Sequence, residues 1–112
     1  MSGIVFFKTN KLEELKQFYL DECECKIWMD QGDCCIFQHG NFLLGFCSRD
    51  HVETDGMITF YFDTKEEVDK FYAKFADSAD ASPRDNPKYP IYHFFTKDPE
   101  GRILEFQYFY NL

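Results

Sequence analysis

The chain has 112 residues, enough for one domain that buries a core of its own. Twenty acidic against twelve basic residues leave a net charge of −8, which argues against nucleic acid or an anionic membrane as partner. Fourteen Phe and seven Tyr are more than a minimal core needs, so some are expected to line a cavity. Residues 4–8 read as a short apolar strand. Asn10 then precedes KLEELKQFYLD, where Asn10 and Glu13 can form a capping box, and Leu12, Leu15, Phe18 and Tyr19 recur at helical spacing. Residues 22–26 end that helix. Strands follow over 26–31, 34–38 and 42–47, separated by Gly32-Asp33 and Gly40-Asn41 turns in which Gly supplies positive φ. The polar segment 48–56 reads as a linker.

A second strand spans 57–62, and Asp63 or Thr64 caps the next helix, with Glu66 or Glu67 at N3. Val68, Phe71, Tyr72 and Phe75 form its buried stripe. Residues 76–90 carry three prolines and read as a loop, in which a short strand is either hidden or lost. A strand over 91–97, an Asp98-Pro99-Glu100-Gly101 turn and a strand over 102–110 complete the chain. VFFKTNKLEELKQFY (5–19) lies over ITFYFDTKEEVDKFY (58–72) at a constant offset of 53. A repeat of that kind means one supersecondary unit used twice. Each half reads as β-α-β-β-β, the second abbreviated if the short strand in 76–90 is lost, and the halves run over 1–50 and 56–112 of a single domain 1–112.

The strand–helix repeat with Phe-Tyr near each helix end, together with FFTKDPEGRILEF (94–106), resembles the vicinal-oxygen-chelate superfamily of glyoxalases, bleomycin-resistance proteins and extradiol dioxygenases. The resemblance implies an α+β fold of two βαβββ modules, their mixed sheets curled around a cavity with helices outside, and pairing into a homodimer. In the family's enzymes both modules supply ligands to a divalent metal. Carried over, those positions fall on Ile4, Leu44, Met57 and Glu105, and only Glu105 is a suitable ligand for a hard ion. No metal and no other cofactor is therefore expected.

Strand alternation places Glu105, Ile103, Gln107 and Phe109 on one face. With it go Met57, Thr59 and Tyr61 and, from the first module, Ile4, Phe6, Lys8, Cys35, Phe37, His39, Phe42, Leu44 and Phe46. The family pattern sets His93 and Phe95 beside Gln107 and Glu105; the opposite register turns His93 toward the helices. The expected ligand-binding residues are Glu105, His93, Phe95, Gln107, Tyr61, Met57, Phe37 and Phe46. Trp28, Phe18, Tyr19, Phe71 and Tyr72 are expected in the core.

Five cysteines are an odd number and fit reduced thiols better than a disulfide framework. Cys23-x-Cys25 and Cys34-Cys35 lack zinc-site spacing, although cross-strand pairing sets Cys34 opposite Cys47. The N-terminal segment has no secretory pattern and no run is long enough to span a membrane, so a cytoplasmic protein without a membrane partner is expected. The leading functional expectation is metal-independent binding of a small molecule, a cationic planar compound above all. The alternative is a metal-dependent lyase, isomerase or dioxygenase with a displaced site around His93 and Glu105. A third reading is an interaction module whose cavity is filled by its own aromatic side chains.

Overall fold

The repeated segment folds twice into one arrangement. A computed structural model describes residues 2–112, and the chain divides into two compact units between Asp55 and Gly56. In the first unit, strand β1 (Ile4–Thr9) leads to helix α1 (Leu12–Gln17), which continues as a π-helical turn (Phe18–Glu22). Strands β2 (Lys26–Asp30), β3 (Cys34–His39) and β4 (Phe42–Ser48) follow, in sheet order β1-β4-β3-β2. The second unit repeats this with β5 (Met57–Phe62), α2 (Lys65–Phe75), β6 (Arg84–Asp85), β7 (Ile91–Lys97) and β8 (Ile103–Phe109), in order β5-β8-β7-β6. In each sheet the opening strand runs parallel to the last one and the remaining pairs are antiparallel. The class is α+β, with two open mixed sheets. The strand hidden in the proline-rich loop is β6, only two residues long.

Helix starts differ between the units. Thr64 caps α2: its hydroxyl accepts the amide of Glu67 at 3.2 Å and donates to the Glu67 carboxylate at 3.0 Å. The N-cap of α1 is Lys11 and not the expected Asn10. Helix α1 begins after Lys11, whose amide is taken by the Thr9 hydroxyl at 3.0 Å.

One face of each sheet packs under its helix. In the second unit Phe106 is fully buried and meets Phe60, Phe62, Phe71, Phe75 and Phe94 at ring-centroid distances of 5.1 to 6.2 Å. In the first unit Tyr19 closes on Phe37 at 5.7 Å and Phe46 at 5.0 Å, and Phe7 stacks on Phe46. Phe37 and Phe46 are therefore helix-side core, both with no exposed surface, and do not line an open face as expected.

The error is one of parity. Ile4 pairs with Leu43, the second residue of β4, whereas Met57 pairs with Ile103, the first residue of β8. The first-unit counterpart of Glu105 is thus Gly45 and not Leu44. A one-residue slip sends every side chain of a strand to the other face. Phe6 lies across from Gly45, and a Cβ at Gly45 would come within 2.4 Å of the Phe6 ring. Glycine there gives the ring its seat.

Two further expectations are corrected. Trp28 is 45% exposed, because β2 is an edge strand whose residues are all exposed. Cys34 and Cys47 form a disulfide, since β3–β4 pairing sets them directly opposite each other with Cα atoms 4.0 Å apart. Cys23, Cys25 and Cys35 are buried and outside the disulfide, and burial pushes the Cys25 thiol up to about 12.

Replacing Phe106 by Ala removes the hub of the second core. It is expected to cost about 3–5 kcal/mol, read from urea unfolding. A loss below about 1 kcal/mol would contradict the packing described.

Candidate functional site

The helix-free face of the second unit carries the titratable cluster. Its geometry starts from the β7–β8 turn. Asp98 Oδ1 accepts the amides of Glu100 at 2.9 Å and Arg102 at 3.0 Å. The Arg102 guanidinium, only 1% exposed, donates to Asp98 at 3.1 Å and Glu100 at 2.8 Å. Gly101, at φ 90°, sends its amide to the Asp98 carbonyl and closes the turn. This sets Phe95 opposite Glu105 and His93 opposite Gln107, while the parallel β5–β8 pair sets Thr59 beside Glu105. The register that turns His93 toward the helix is not the one formed.

Three donors converge on the Glu105 carboxylate, which is 5% exposed. Thr59 Oγ1 donates to Oε1 at 2.8 Å, and His93 Nδ1 lies 2.6 Å from Oε2. The Gln107 amide, with its nitrogen turned inward, donates to Oε1 at 3.0 Å. One proton lies between His93 Nδ1 and Glu105 Oε2 in this contact, and His93 Nε2 faces the Asn86 amide at 3.4 Å. Hydrogen bonds of this kind offset the desolvation of a buried charge. Among the described residues no Lys or Arg forms an ion pair with Glu105. The Arg84 guanidinium is engaged by Asp80 at 2.8 and 3.1 Å, lies over the Phe95 ring and is held above its ordinary pKa, first by Asp80.

Glu105, His93 and Gln107 lie in a pocket of about 450 Å³ whose other walls include Met57, Phe95, Phe109 and Tyr89. Met57 and Phe95 also border an adjoining, more apolar pocket of about 640 Å³ reaching Ser78 and Asp80. Tyr61 shares the open face, half-exposed and edge-on to Phe109. Of the eight residues expected to bind a ligand, five line the first pocket, Tyr61 flanks it, and Phe37 and Phe46 lie in the first unit's core. Strand alternation places Thr59 on this face, yet it is not among the expected ligand-binding residues, and Asn86 is not expected at all, since it comes from an irregular loop with no sequence signal.

The donor set does not fit a divalent ion. Among the described residues no group of three or more His, Cys, Asp or Glu side chains is placed to hold a metal. Glu105 and His93 turn their facing atoms to each other at 2.6 Å.

Two βαβββ units with parallel outer pairs define the vicinal-oxygen-chelate fold. The chain is similar to the structure of a glyoxalase/bleomycin resistance protein/dioxygenase from Alicyclobacillus acidocaldarius (TM-score 0.80, 17% identity, covering 99% of this chain and 92% of that one). It is also similar to one of the same description from Nocardioides (TM-score 0.76, 15% identity, 99% and 84%). A lactoylglutathione lyase from Agrobacterium tumefaciens superimposes comparably (TM-score 0.76, 19% identity, 96% and 92%). At these identities the likeness shows the fold. No family model matches the chain, and no curated protein matches it.

Substituting Glu105 by Leu strands the Thr59, His93 and Gln107 donors and is expected to cost about 1–3 kcal/mol in urea unfolding. Thr59→Val, which leaves two donors on the carboxylate, is expected to cost less. Equal stability of Glu105→Leu and the parent would remove the network from the account.

Proposed function

We propose that the protein binds a small cationic, planar molecule on the open face of its second unit, without a metal. The observation that carries this reading is the Glu105 carboxylate: buried, hydrogen-bonded and without a Lys or Arg ion-pair partner, in a largely apolar pocket of about 450 Å³. Pockets of this size with few convergent polar groups suit small organic ligands. Phe95 and Phe109 offer faces for a planar body, and Glu105 supplies the countercharge for a cationic group. The excess of acidic residues favours approach of a cation.

Pairing of two copies belongs to the same proposal. Edge strand β2 presents Ile27, Trp28 and Met29, each more than 40% exposed, with backbone groups open to a further strand.

Thermal-shift screening of chelator-treated protein is expected to favour planar aromatic cations over anions of equal size. Glu105→Gln is expected to weaken the best of them at least about tenfold in titration calorimetry, the loss of one charge-assisted contact. A preference for small anions, or binding unaffected by Glu105→Gln, would overturn the reading.

A further inference from the structure

The first unit holds a different reactive pair at the matching place. Cys34 and Cys47 face each other across β3 and β4, as His93 and Gln107 do across β7 and β8. The parallel pairings align these positions: Phe6 stands beside Gly45 as Thr59 stands beside Glu105, and Cys47 and Gln107 come two residues later. Alternation puts Cys35 on the helix side, fully buried, and turns the disulfide to the helix-free face.

Both sulfurs border a pocket of about 430 Å³ with Phe6, Phe7, Lys8, Gln31, Arg49 and Glu53. Lys8 is the β1 neighbour of Cys47, and Arg49 follows Cys47 by two residues. Lys8 Nζ lies 3.4 Å from His51 Nε2, Arg49 lies 3.6 Å from Asp33, and Glu53 accepts the Lys8 amide. Lys8 and Arg49 thus stand near Cys47 in sequence and register, with Glu53, Asp33 and Asp50 as the acidic groups around them. Cationic groups beside a sulfur draw an anionic reactant to it.

We propose that the Cys34–Cys47 disulfide is an exchange site for small anionic thiols. A thiolate attacks the sulfur of Cys47, the less buried residue of the pair, forming a mixed disulfide while the S–S electron pair leaves on Cys34 as thiolate. A second thiolate attacks the incoming thiol's sulfur and releases Cys47, so two thiols become one external disulfide and the protein becomes a dithiol. Lys8 and Arg49 hold the anionic part of the incoming thiol during the first step. Cys23, Cys25 and Cys35 are buried, lie outside the bridge and take no part in the exchange.

The test compares mercaptoethanesulfonate with cysteamine, two thiols of equal length and opposite charge, at matched thiolate concentration. Protein denatured without reductant is expected to titrate three thiols, matching Cys23, Cys25 and Cys35. The native protein is expected to open its bridge about fivefold faster with the sulfonate, a gap worth about one exposed charge contact. That gap is expected to close in high salt and in the double variant Lys8→Gln/Arg49→Gln. Mass spectrometry of the quenched reaction is expected to find the adduct on Cys47. Five titratable thiols before reduction, equal rates for the two reagents, or a preference that survives the double variant would each overturn the proposal.

Discussion

The buried turn between β7 and β8 is the constraint on which the site depends. Asp98, Glu100 and Arg102 exchange two charge-assisted bonds and two amide bonds within five residues, almost fully out of solvent. A buried ion pair adds little net stability against an apolar substitute, but removing one partner is costly. Its effect here is on specificity: it holds the strands at one register. Slippage by a single residue would exchange the aromatic core around Phe106 with the Glu105 cluster and strand both.

Duplication explains how one fold carries two unlike faces. In each unit the helix side is apolar and nearly saturated with aromatic contacts, whereas the helix-free side is where the copies diverge. The second unit keeps a carboxylate held by Thr59, His93 and Gln107. The first sets the Phe6 ring over Gly45 at the carboxylate's place and a disulfide two residues on. Each core is constrained by its own packing; the open faces are free to acquire different chemistry.

Much of this was legible in the amino-acid sequence, and the exceptions have physical causes. The repeat announced two βαβββ units, the Asp98–Gly101 turn announced the last hairpin, and alternation along 103–109 brought Glu105 and Gln107 to one face. Phe37 and Phe46 were misplaced because the two glycine turns look alike but enter their strands one residue apart relative to the parallel partner. Trp28 reads as core by composition, yet an edge strand leaves it half in solvent. The Cys34–Cys47 pairing follows from strand register, but oxidation state is not encoded in spacing. Asn86 reaches His93 from a loop whose path no periodicity describes.

The central claim is that Glu105 serves as a countercharge for an organic cation and not as a metal ligand. Carboxyl carbon NMR of Glu105 in chelator-treated protein tests this most directly, with a planar cation titrated in one arm and zinc in the other. The account predicts a saturable shift of the Glu105 resonance with the organic cation and none with zinc at equal concentration. A stoichiometric response to zinc, with the organic cation silent, would contradict it.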